Sequence, residues 1–198
     1  AEGVAKDLTF VPDISTIKTT AVPPLAAIWP GRYESAIWSP PAPASRLASA
    51  ANYRRLVALS DGTLLAATYG SGLHHFATRD APPSTIPLGA SPIDLVTTHD
   101  GRRWAALTSN GEVHLGPVEN GITANTTLAV APDAVAVALA DGPTTTLAYI
   151  TPHVAVCFDP DKASAMRHTF APPAPEARLA AVALSRDGAM LAVGTLEG

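Results

Sequence analysis

Six histidines, a single cysteine and a scatter of aspartates are the side chains here that could bind a metal or serve as nucleophile, acid or base. Their spacing argues against each in turn. His74 and His75 are adjacent in a run patterned as a strand, where successive side chains point to opposite faces, so they cannot grip one ion together. His114 holds the corresponding place in a later run, where packing within a sheet is the simpler role. His99 precedes a turn and His153 follows one, which puts both at a rim or in solvent. Cys157 lies in Val154-Ala155-Val156-Cys157-Phe158, the setting of an inert core thiol. Alone, it can form neither an intramolecular disulfide nor a cysteine-based zinc site. Gly70-Ser71-Gly72 sets a serine between glycines but lacks the G-x-S-x-G strand-to-helix elbow that activates a nucleophile. Asp61, Asp100, Asp141 and Asp187 each precede glycine, a pairing that turn geometry explains, so no acid/base pair of carboxylates can be named. There is no P-loop and no G-x-G-x-x-G opening a helix. The expectation is no catalytic residue, no metal ligand and no cofactor.

The elements that would position these side chains recur with a period. The Asp-Gly pairs follow one another at 39, 41 and 46 residues. Before them stand the β-type runs 56–59, 93–96, 135–139 and 181–184; after them come 64–67, 104–107, 146–149 and 190–193. From the glycine of the pair to a second turn glycine is ten residues in three units, Gly62 to Gly72, Gly101 to Gly111 and Gly188 to Gly198. In the remaining unit Pro152 holds that place. Glycine and aspartate supply turn conformations that fix hairpin register. A third strand follows at 73–76, 113–115 and 154–158, and the proline-rich segments beyond (81–87, 117–130, 170–175) take a fourth, outer strand in or beside them, where proline is tolerated. No helical periodicity competes, and the spacing predicts an all-β chain. Residues 1–52 fall outside the period. They are an N-terminal extension that packs Trp29, Tyr33 and Trp38 on the sheets, or part of a preceding blade. Strands are expected at 6–11 and 35–38, and a linker or short helical turn at 45–52.

Composition narrows the partners. Thirteen basic against seventeen acidic residues leave a formal charge of −4, which is no footprint for nucleic acid or an anionic membrane. Charged residues are only 15% of the chain against about 25% in ordinary domains. Either a sheet-rich, alanine-rich fold exposes much apolar surface, or other subunits or the rest of the fold cover it. The apolar window 128–140 is broken by Pro132 and Asp133, so no membrane-spanning helix is expected. No Met and no basic leader opens the chain, which predicts a processed or truncated polypeptide. Asn125-Thr126-Thr127 fits a glycosylation acceptor, a triplet common by chance. The compartment stays open, with an intracellular setting favoured. The basic doublets Arg54-Arg55 and Arg102-Arg103 are expected as exposed turn and strand-edge charges that discourage edge pairing, or as contacts for an acidic partner or a nucleic-acid backbone.

Residues 182–194, followed by Glu197-Gly198, resemble a WD40 repeat, from strand through Asp-Gly turn and strand to the next turn. Arg186 stands where the family often has proline, and Glu197 where it often has aspartate. Weaker copies cover 53–80, 90–116 and 133–160. No Gly-His pair precedes a unit and no Trp-Asp closes one; Phe158-Asp159 comes nearest. The resemblance is therefore to a degenerate WD40-like propeller or a related Kelch or lactonase-like type, and a β-sandwich is the structural alternative. It implies a partial β-propeller of four-stranded antiparallel blades, about three and a half units over 53–198 and interrupted within the last, where four to eight blades close a ring. The strand at 190–193 is then expected to carry an unpaired edge.

The resemblance also implies function: a non-catalytic protein-protein interaction scaffold, one subunit of a larger assembly whose partners are other protein subunits. The loop at the second turn commonly lies on the partner face, which selects Tyr69, Ser71, Ser109, Asn110 and His153. The rival is a propeller enzyme with a metal or cofactor at the central channel, which needs carboxylates or histidines converging from several blades. An RNA-associated propeller is disfavoured by the acidic balance, leaving nucleic acid as a partner reached through the assembly.

Overall fold

The computed structural model describes residues 51–78, 80–118, 122–124, 126–162, 167–172, 174 and 176–196, together with the strand backbone of 36–37 and 45–46. The strand expected at 6–11, the aromatics Trp29, Tyr33 and Trp38, and Asn125, Glu197 and Gly198 lie outside the described residues. Among those described, the regular structure is all strand. The short strands β1 (Ala36–Ile37) and β2 (Ser45–Arg46) pair antiparallel, so the start of 45–52 is a strand and not a linker or helical turn.

Three four-stranded antiparallel meanders follow. The first blade is β3 (Tyr53–Ala58), β4 (Leu64–Thr68), β5 (Gly72–Phe76) and β6 (Ser84–Pro87). The second is β7 (Pro92–Thr97), β8 (Arg103–Thr108), β9 (Glu112–Pro117) and β10 (Thr126–Ala129). The third is β11 (Ala136–Asp141), β12 (Thr145–Ile150), β13 (Ala155–Phe158) and β14 (His168–Phe170). A fourth begins with β15 (Leu179–Leu184) and β16 (Leu191–Thr195), and among the described residues β16 pairs with β15 alone. This is a partial β-propeller. The inner strands β3, β7, β11 and β15 lie side by side in that order, and the outer strands run through or beside the proline-rich segments as their sequence requires.

The second strands of the first three blades are buried on both faces. Continuous apolar runs result rather than alternation: Leu64, Leu65, Ala66 and Ala67 are all buried, as are Trp104, Ala105, Ala106 and Leu107. Outer strands β6, β10 and β14 are mostly exposed. The core among the described residues is three interfaces between blades and one cluster within the first blade, Tyr53, Leu56, Leu64, Ala66 and Phe76. Leu65, Ala67 and Leu73 of the first blade meet Leu95, Trp104 and Ala106 of the second. Leu107, Val113 and Leu115 of the second meet Val137, Leu147 and Phe158 of the third, and Ile150 and Ala155 meet Leu179 and Val182. Much of the charge deficit follows from this layering.

The turn chemistry repeats. In the second blade Thr98 Oγ1 donates to Asp100 Oδ1 (2.8 Å), which also accepts the Arg102 amide, while the Arg103 amide donates to Thr98 Oγ1. Ser185, Asp187, Ala189 and Met190 reproduce the pattern in the fourth. Asp61 accepts from the Thr63 amide and hydroxyl in a turn one residue shorter. Asp141 departs from expectation: it ends β11 opposite Thr145, and among the described residues its carboxylate accepts no turn hydrogen bond. The glycine after it is required by proximity, since a Cβ on Gly142 would fall 2.1 Å from the Asp187 carbonyl oxygen. Gly72 likewise opens β5 rather than turning, pressed against β6.

Candidate interaction surface

The five loop residues singled out by sequence lie at one end of the blades, in the connections β4–β5, β8–β9 and β12–β13. That end is shared with the links between blades, and backbone hydrogen bonds hold the two sets together. The Leu88 amide donates to Ser71 O (3.0 Å), Ser109 N to Ser91 O (2.8 Å), Val130 N to Gly111 O (2.9 Å) and Leu179 N to Pro152 O (2.9 Å). Ser91 Oγ donates to Tyr69 O.

A buried threonine anchors each loop from beneath. Thr68 Oγ1 donates to Gly72 O (2.7 Å) and accepts the Gly70 amide. Thr108 Oγ1 lies 2.9 Å from Glu112 O and 2.6 Å from Asn110 Oδ1. Thr151 Oγ1 accepts the amides of His153 and Val154. The signal is present in the sequence, since threonine ends the second-strand region at 68, 108, 151 and 195, but the turn glycines do not reveal it.

With the backbone fixed, Tyr69, Ser71, Ser109, Asn110 and His153 project outward. Tyr69 is 57% exposed and its ring carries the Arg54 guanidinium 4.4 Å from the centroid. The Asn110 amide is spent on Glu112 (2.9 Å), so its outward reach is curtailed. The five form a row, one group per blade, and among the described residues no hydrogen bond or ring contact joins the groups.

The central channel, about 430 Å³, is lined by 56–58, 96–99, 137–140 and 182–186. These are contiguous runs rather than alternate residues because the edge of each inner strand faces the axis. His99 and Arg186 stand among them, and among the described residues no carboxylate does. Among the described residues no group of three or more His, Cys, Asp or Glu is arranged to hold a metal ion.

The histidines serve packing. His74 and His75 stand on opposite faces of β5; the Tyr53 hydroxyl is 2.8 Å from His74 Nδ1, and their rings meet edge to face. His114 is the counterpart of His74 and lies 3.2 Å from Thr127 Oγ1. Burial lowers the pKa of all three, against a weaker opposing pull from Asp61 on His75 and from Glu112 on His114. Burial pushes the half-buried Cys157 thiol up, which disfavours the nucleophilic thiolate.

The arginine doublets split, which corrects the edge-charge expectation for half of each. Arg54 and Arg102 are exposed. Arg55 Nε instead reaches across to Asp94 Oδ1 (3.2 Å), a buried carboxylate of the second blade that also accepts the amide of Val137 in the third. Arg103 makes a bidentate pair with Asp161 (2.7 and 2.8 Å) and also meets Thr145, tying the second blade to the third. The Arg103 guanidinium holds the Asp161 carboxyl down to about 2.

No protein-family model matches this chain, and neither does any curated protein. Among solved structures it is similar to the Cps50 (Swd1) beta-propeller domain of Myceliophteria thermophila, with a TM-score of 0.61 and 13% identity, covering 83% of this chain. The chain spans 60% of that structure's length. At this identity the likeness shows the fold, a β-propeller.

Proposed function

We propose that this chain is a WD40-like propeller segment without catalytic activity, which works as a protein-interaction subunit of a larger assembly. The observation that carries the reading is the row at one end of the blades: loops whose backbones are fixed by hydrogen bonds and buried threonines while Tyr69, Ser71, Ser109 and His153 face outward. Side chains on such loops reach a partner with little further ordering cost. Tyrosine is among the residues that anchor interfaces. Protein subunits are the expected partners, because the acidic balance disfavours a phosphate backbone.

Photo-crosslinking residues placed singly at Tyr69, Ser109 and His153, with Arg102 and Arg186 at the opposite end as controls, test the reading in the native assembly. Crosslinks to a defined protein should come from the first three positions and not from the controls. Equal yields from both ends, or none from the first three, would refute it.

A further inference from the structure

Beside Tyr69 the first blade carries a second cavity of about 430 Å³, bordered by Asn52, Tyr69, Ser71, His74 and Thr85. It lies on the sheet face turned away from the second blade, because His74 and Thr85 are cross-strand neighbours on that face. Its lining contains no carboxylate among the described residues. Among the described residues, the Asn52 amide and the Ser71 and Thr85 hydroxyls form no side-chain hydrogen bond, so three donors border the cavity uncommitted. A cation stands next to the cavity, on the ring of Tyr69. Arg55, Arg102 and Arg103 each stand against an aspartate, whereas Arg54 rests on the Tyr69 ring and forms no ion pair among the described residues.

A guanidinium held on the Tyr69 ring with no ion pair among the described residues, beside several neutral donors and no described carboxylate, is complementary to a carboxylate on an extended chain. A single cation is too little for a nucleic-acid backbone, whose binding grows with the number of phosphates neutralised. We infer that the cavity beside Tyr69 receives an acidic side chain from a peptide segment of the partner protein, with Arg54, held on the Tyr69 ring, as its charge partner. This rests on the scaffold reading and specifies the chemistry of the partner at that end of the blades.

The test is a selection of random peptides displayed on phage against the wild-type chain and against Arg54→Glu. Wild-type selection should enrich Asp and Glu, and the charge-reversed chain should lose that enrichment in favour of Lys and Arg. An enriched acidic peptide, labelled with fluorescein, should bind Arg54→Ala about tenfold more weakly by anisotropy. Its neutral amide version should be indifferent to the substitution. Because Arg54 is exposed, the variants are expected to unfold at the wild-type temperature, and circular dichroism checks this. Enrichment that ignores residue 54, or a labelled single-stranded oligonucleotide bound with the same dependence on Arg54, would overturn the inference. Crosslinking from Ser109 and His153 separates the two claims. If it persists while residue 54 has no effect, the acidic-partner inference fails and the scaffold reading stands.

Discussion

Asp94→Ala should be among the most damaging substitutions in the chain, although the residue touches no candidate partner. The carboxylate is 5% exposed and accepts from three donors: its neighbour's amide Leu95 N (2.9 Å), Val137 N of the third blade (3.0 Å) and Arg55 Nε of the first (3.2 Å). Alanine strands the buried Val137 amide, at about 1–3 kcal/mol. It also removes the countercharge of Arg55. Breaking a fully buried pair costs about 3–5 kcal/mol, but the Arg55 side chain is 29% exposed and can turn to water, so that range is a ceiling. A net loss of about 3 kcal/mol follows from these bounds, a large part of the roughly 5–15 kcal/mol that holds a domain together. Arg55→Met should cost less, since Asp94 keeps two backbone donors. Urea unfolding followed by the fluorescence of Trp104, fully buried in the adjoining interface, reads both. The double variant should recover at least about 1 kcal/mol relative to the sum of the singles. A loss below about 0.5 kcal/mol for Asp94→Ala, or strict additivity in the cycle, would refute the assignment of this carboxylate as a three-blade junction.

Two further outcomes are expected. The Asp161 carboxyl, at about 2 in the folded chain against an ordinary 3.8, contributes stability above its unfolded pKa that is lost as pH falls through the folded value; carbon-detected NMR titration should show the low midpoint, and Arg103→Met should return it toward 3.8. The energetic share is small, because Asp161 is half exposed and screened by water. Gly62 and Gly101 both have positive φ (83° and 70°), but only at Gly101 would a Cβ collide, 2.8 Å from Ser60 N; Gly101→Ala should therefore lower the unfolding midpoint clearly more than Gly62→Ala, and equal losses would show that the approach of the two turns is immaterial.

What could be read from the sequence was what local chemistry determines. Hairpin turns announce themselves through Asp-Gly because the carboxylate caps amides two residues on, and three of the four pairs do so here. The fourth misleads because Gly142 is demanded by its neighbour Asp187 rather than by its own φ, and a close approach between blades leaves no trace within ten residues of sequence. For the same reason Arg55 and Asp94 looked like a surface charge and a polar strand position. They become a junction only when two inner strands are laid side by side. At the candidate surface the loops were legible, but the cavity beside Tyr69 was not, since it is made by a strand start, a loop and an outer strand together.

The two ends of the blades differ in what their turns contribute to packing. At the end carrying the Asp-Gly turns, neighbouring turns are bonded or packed to one another: Ser60 N donates to Gly101 O (3.0 Å), a Cβ on Gly142 would strike Asp187, and one on Gly188 would lie 2.6 Å from Thr146 Oγ1. Substitution there disturbs the spacing of blades. At the opposite end the backbone of each loop is held by its own threonine and by the adjoining link, and among the described residues the side chains at 71, 109 and 153 make no hydrogen bond, while Tyr69 carries only the Arg54 guanidinium. Exchanging them is expected to alter the surface while leaving the propeller unchanged, which is the condition for a repeat fold to acquire a partner without losing stability. A scan of alanine substitutions should therefore divide the two ends, with stability responding at the Asp-Gly turns and affinity at the threonine-anchored loops.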